Sequence, residues 1–250
     1  MVMAISIVGL SSNTIGTPLN QVAAGFDPKT PLSTLQSKEN SATAQLSAFS
    51  QVKSSLADLQ NKAGALKNFS KPPTFADFQV VVQGFVQSFN SLNKNVGTLT
   101  SKQGALNADS RSGQALNSVN KAIAGANDGG LSALQKMGIS QQTNGAFSIN
   151  QNQLAKSFQD NRPGMLATVF DLANRVTQAT DKYISANGLI GKKIDDLSAR
   201  VNHLENMRSK SQGYIDTQRN TQQFLAAQLP ATGGSAARNA VATYASVASL

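Results

Sequence analysis

The sequence predicts a mainly α fold: an elongated coiled-coil or helical-bundle rod formed by N- and C-terminal helices, with one small β-hairpin. Three observations predict it. Ile190, Ile194, Leu197, Val201, Leu204, Arg208, Ser211, Ile215, Gln218, Gln222, Leu225 and Leu229 are spaced alternately by four and three. That is a heptad seam, and residues so spaced share one face of a helix. A helix carrying all of it is on the order of 60 Å long. A second seam, Phe75, Phe78, Val82, Phe85, Phe89, Leu92, Val96 and Leu99, follows the same rhythm with larger side chains. Third, aromatic residues make up 6% of the 250 residues and charged ones 14%, with no Trp and no Cys. Long helices with narrow seams need few large side chains, so this composition suits them.

The chain opens with Gly9, Gly16, Pro18, Gly25 and Pro28 among small polar residues, so 1–30 reads as a flexible arm. Met1–Leu10 is apolar but has no basic residue before it, the first being Lys29, and a cleavable secretory signal is therefore not predicted. No run reaches the roughly 18 apolar residues of a membrane span. A first helix (31–69) carries Leu35, Ala42, Leu46, Phe49, Val52, Leu56, Leu59, Ala63 and Leu66 on one side. The successive steps of three at Leu46, Phe49 and Val52 are a slip in the seam. Ser70-Lys71-Pro72-Pro73 stops this helix, because proline lacks the amide donor and restricts the residue before it.

Thr74 is placed to cap the Phe-rich helix (74–102), with Asp77 in its first turn. Burying the Phe stripe is worth roughly 1.5–3 kcal/mol per side chain. A small α/β element covers 109–158. Its first helix runs from about Asp109 to Ala124, and Asn127-Asp128-Gly129-Gly130 reads as a loop without the ligand pattern of a calcium site. A helical turn then ends at Gly138. Ile139–Gln142 and Ala146–Ile149 flank Thr143-Asn144-Gly145, and a three-residue loop with Gly145 left-handed sets Ile139 opposite Ile149. Asn150 and Gln153 form a potential capping box for the next helix. Pro163 sits in the first turn of another, with a seam at Leu166, Val169, Ala173, Val176, Thr180 and Tyr183. Asn187-Gly188 interrupts it before the long helix, and these C-terminal helices span 163–229. Pro230 to Gly234 begins a linker and terminal segment (230–250), with Ala237, Val241, Tyr244 and Ala248 on one face.

The expected domain is thus a discontinuous helical leg over 31–229. Its coiled-coil interface is predicted at Leu46, Phe49, Val52, Leu56, Leu59, Leu66, Ile194, Leu197, Val201, Leu204 and Ile215. The seam of the long helix turns polar at Arg208, Ser211, Gln218 and Gln222. Arg208, Gln218 and Gln222, with Val241 and Tyr244, are the candidate contacts to other subunits.

Chemistry for catalysis is not visible. One histidine, His203, and no cysteine exclude the common zinc sites. Asp195 and Asp196 are adjacent on a helix and point apart. Gly188-Leu189-Ile190-Gly191-Lys192-Lys193 lacks the spacing of a phosphate loop. No enzyme, metal or cofactor is expected. The net charge of +9 is spread along the chain, ten basic against five acidic residues in 1–125 and seven against four in 191–250. Nucleic-acid binders concentrate their positive charge on one face. No nucleic-acid partner and no membrane insertion are expected, although a basic helical nucleic-acid binder stays as an alternative.

Three stretches resemble the bacterial flagellar filament-capping family, flagellar hook-associated protein 2. Pro31 to Leu66 is similar to its amino-terminal region. Phe85 to Phe89 with Leu92, followed by Leu131 to Phe158, resembles the start of its carboxyl-terminal region, with Asn150 where the family usually has Asp. Asn187 to Leu204 resembles the beginning of its terminal coiled-coil helix. The resemblance implies a secreted flagellar protein, exported by the flagellar export apparatus without a cleaved leader. It further implies a homo-oligomeric ring at the filament tip that helps flagellin insert and polymerise beside neighbouring hook-associated proteins. That family usually carries a large β-rich head between the first two helices. Only Asn68 to Thr74 lies there in this chain, so the resemblance is to a short form without the head. Another axial role, as a junction or filament subunit, is the alternative.

Overall fold

A computed structural model describes residues 31–69, 73–125 and 129–228. The arm expected over 1–30, the segment expected over 230–250, and residues 70–72 and 126–128 lie outside the described residues. Mainly helical structure with one antiparallel hairpin is what the described chain shows. In order come α1 (Leu32–Ala65), α2 (Phe75–Leu99), α3 (Arg111–Ala124), α4 (Gly129–Lys136), β1 (Ile139–Gln141), β2 (Phe147–Ile149), α5 (Gln151–Asp160), α6 (Arg162–Ile184) and α7 (Leu189–Gln228). The chain divides into two compact units: Ser41–Arg200, and Met1–Asn40 with Val201–Leu250, of which 31–40 and 201–228 are described.

The Ser41–Arg200 unit is organised on α2. Phe78, Val82, Phe85, Phe89, Leu92 and Val96 are all buried, and Phe75 and Leu99 at the ends of the stripe are partly so. Around this face gather Phe49, Val52, Leu56, Leu59 and Leu66 of the first helix and the turn after it, Val119 and Ile123 of α3, and Val169, Ala173 and Val176 of α6. Ile190 and Leu197 belong to the same core. At the seam slip, Ala48 becomes buried beside Phe49 while Leu46 is only half-buried. Rings meet at tilted or edge-on angles: Phe78 and Phe158 lie 5.0 Å apart, Phe89 and Phe147 4.9 Å. Such pairs add to the stabilisation given by burial alone.

Helix ends follow local chemistry. Thr74 accepts from the Asp77 amide at 3.2 Å, and the Asp77 carboxylate accepts from the Thr74 amide at 3.0 Å and its hydroxyl at 2.7 Å. This full capping box holds the Asp77 carboxyl below its ordinary range, chiefly through the hydroxyl and then the backbone bond. Asn161 accepts from Gly164 with Pro163 in the first turn of α6. At α5 only half of the expected box forms. Asn150 caps the Gln153 amide at 3.1 Å, but the Asn150 amide already donates to Gly138 O at 2.7 Å across the hairpin. Gln153 therefore turns its side-chain amide to Lys136 O at 3.2 Å, joining α5 to the end of α4.

The hairpin pairs Ile139 with Ile149, Ser140 with Ser148 and Gln141 with Phe147. This is the register of the three-residue loop, closed by Gln142 N–H to Ala146 O at 2.7 Å, with Gly145 at φ +81°. A side chain at that φ is strained, so glycine is needed there. One expectation fails: Gly129 and Gly130 are not loop but the first turn of α4. A Cβ on Gly130 would lie 2.3 Å from Ile123 O. Gly130 thus allows the first turn of α4 to approach the end of α3 closely, a role that the sequence reading took for punctuation.

Candidate functional site

The predicted interface residues fall into two groups. Within Ser41–Arg200, Phe49, Val52, Leu56, Leu59, Leu66 and Leu197 are buried, and Leu46 and Ile194 are half-buried against the same core. In the other unit Leu204 is buried, Val201 half-buried and Ile215 exposed. Helical spacing places these residues in rows; the apolar content of the row decides how deeply each sinks.

That content changes along α7. Leu35 of α1 is buried, as are Leu204 and Ser211 of α7, and between them Arg208 donates from Nε to Glu39 Oε2 at 2.8 Å. The Glu39 side chain is 16% exposed and that of Arg208 38%. Arg208, a candidate contact to other subunits, is thus engaged within the chain. Gln218 donates to the Tyr214 hydroxyl at 3.2 Å, and Gln222 is half-buried. Past Ser211 the helix carries Ile215, Phe224 and Leu225 at 37%, 62% and 48% exposure. Val241 and Tyr244 lie outside the described residues.

Two features escaped the sequence reading. Glu39 lies four after Leu35 and three before Ala42, so it occupies the seam, and that spacing was the signal. Asn90 of α2 grips β2 with both ends of its amide: Nδ2 donates to Phe147 O at 2.9 Å, and Phe147 N–H donates to Asn90 Oδ1 at 2.8 Å. Its neighbour Asn93 donates to Asn144 O at 3.0 Å. Lying three apart, the two asparagines face the hairpin from one side of the helix, a polar row beside the Phe stripe.

Two open grooves border the ends of α2. One, of about 740 Å³, is lined by Asn61, Phe69, Asp77 and Val80 among others, and the other by residues around Thr100 and Asp109. The carboxylates in them are committed, Asp77 to its cap and Asp109 to Arg111 at 2.6 Å. His203, Asp195 and Asp196 are exposed. No described helix is long and apolar enough to cross a membrane.

Fold and surface together define a mainly helical domain, with its apolar mass in helix seams and large apolar side chains exposed towards the end of α7. A comparison with protein families matches residues 73–229 to the family described as flagellar hook-associated protein 2 C-terminus. The chain belongs to this family of structural proteins of the bacterial flagellar filament cap. A search of curated proteins found no match.

Proposed function

We propose that the chain is a non-enzymatic cap of the flagellar filament, acting as a homo-oligomer at the distal tip where exported flagellin inserts and polymerises. It leaves the cell through the flagellar export apparatus. Beside the family match, the observation that carries this reading is the end of α7. Beyond Ser211 the helix continues to Gln228 with Ile215, Phe224 and Leu225 exposed. Phe224 and Leu225 are neighbours on the helix, and large apolar side chains left in solvent side by side are the kind of surface another chain covers. The heptad seam there mixes Gln218 and Gln222 with leucine and isoleucine, so it binds neighbours modestly. Modest binding suits a cap that shifts as each subunit enters.

Deleting the gene should leave short or absent filaments, with flagellin released into the medium. A chain carrying Phe224→Ser and Leu225→Ser should fold and be exported, yet restore filament growth poorly. Normal filaments in the deletion strain would remove the cap reading.

A second reading, another axial component such as a junction or filament subunit, draws on the short connection between α1 and α2, where only residues 66–74 intervene. Copy number separates the two: a few chains per flagellum for a cap, thousands for a filament subunit.

A further inference from the structure

We propose that Gly213 is a breakpoint built into α7: the part beyond it, 214–228, bends and unfolds without disturbing the part before it. The helix is continuous from Leu189 to Gln228, but its anchoring is not. Steps of seven from Ile190 lead through Leu197 and Leu204 to Ser211, and these four are exposed by only 0%, 1%, 7% and 4%. The next two steps reach Gln218, half-buried, and Leu225, 48% exposed. Among the described residues after Ser211 none is buried. Packing of one face supplies most of a helix's stability in a protein. Beyond Ser211, therefore, local preference decides whether the helix holds.

That preference is poor just there. Glycine is the least favourable helix residue after proline, and nothing around this one requires it. A Cβ at Gly213 would meet nothing within 4 Å, whereas at Gly191, the other glycine of α7, it would lie 2.4 Å from Ser185 O. Gly191 serves a close approach; Gly213 serves none, and its backbone is helical. One turn on, Thr217 donates its hydroxyl to Gly213 O at 2.8 Å, and Thr221 donates to Thr217 O at 2.9 Å. Bonds from a hydroxyl to the carbonyl four residues back bend helices, and these two lie in one row, so their bends add. The side-chain bond that spans the glycine, Gln212 to Asp216 at 3.0 Å, is exposed, and pairs of that kind stabilise a helix only slightly. Ile215, Phe224 and Leu225 all lie beyond Gly213. The surface offered to another chain is thereby carried on a segment able to turn while Leu204 and Ser211 stay packed. That use rests on the cap reading; the breakpoint itself does not.

Hydrogen exchange read by mass spectrometry on the purified full chain should show a step within a turn of Gly213, with the amides of 214–228 exchanging about tenfold faster than those of 201–212. In Gly213→Ala the added methyl enters open space. Exchange over 214–228 should then slow about fivefold, the helix preference of alanine over glycine written as an equilibrium ratio, while 201–212 is unchanged. Asn220→Ala, an exposed substitution further along the same segment, should leave the step at Gly213. Protection that declines smoothly from 201 to 228 is ordinary fraying of a helix end and would overturn the proposal, as would a step that keeps its full height in Gly213→Ala. No flagellum enters these measurements, so the deletion strain tests the cap reading separately.

Discussion

The two units use the same heptad spacing for different ends. In Ser41–Arg200, seam positions are filled by Phe, Leu, Val and Ile, and helices converge on α2 from several directions. In the smaller unit the same spacing carries Glu39, Arg208, Ser211, Gln218 and Gln222, and among its described residues Ile215, Phe224 and Leu225 stand in solvent. Spacing decides which residues align; composition decides whether the aligned face holds on its own or keeps capacity for a neighbour. Stability in this chain is therefore concentrated at one end of its long helices.

The largest test of this contrast is Phe89→Ala. That ring is fully buried against Phe147, and its loss should cost about 3–5 kcal/mol in denaturant unfolding. A loss below 1 kcal/mol would mean the Phe stripe is not the main support of the larger unit. Next comes Asn90→Ala, which strips two hydrogen bonds from Phe147 and should cost about 1–3 kcal/mol while leaving the helices intact by circular dichroism. Thr74→Ala removes the cap of α2 and should cost about 1 kcal/mol.

Its partner Asp77 gives a pH signature. The folded carboxyl titrates below the unfolded one, so the unfolded chain binds the proton more readily. The contribution is complete above the unfolded value and lost as pH falls through the folded one. Asp77→Asn should flatten that acid limb and lower stability at neutral pH, where the carboxylate's contribution is complete. Phe224→Ser completes the order. An exposed side chain should change the stability of the isolated chain by no more than about 0.5 kcal/mol, although filament growth falls. Hydrogen exchange sharpens the comparison from another side: amides of 201–228 should open at a lower free energy than those of 75–99.

Much of the fold was legible because its signals are local. The Phe75–Leu99 spacing, the Thr74–Asp77 box, Pro163 in a first turn and the Asn144–Gly145 loop each read directly from neighbouring residues, and the structure places them so. What escaped depends on distant contacts. Gly130 looked like loop because its role is to admit Ile123 O, and Gln153 looked like half of a box because the amide it would meet belongs to the hairpin. Of the candidate contact residues, Arg208 was noticed as a charge on an apolar row, but its counterpart Glu39 was passed over between two apolar neighbours. Pairing across 169 residues leaves no mark within either segment.

The grip of Asn90 on Phe147 also governs what the open edge of the hairpin can do. A ribbon of two strands leaves outward-facing backbone groups on both flanks, and these invite a stranger's strand. On the β2 flank the carboxamide already occupies the N–H and C=O of Phe147, imitating the neighbour that a further strand would supply. One side chain thereby acts as a stopper against the addition of a strand beside β2.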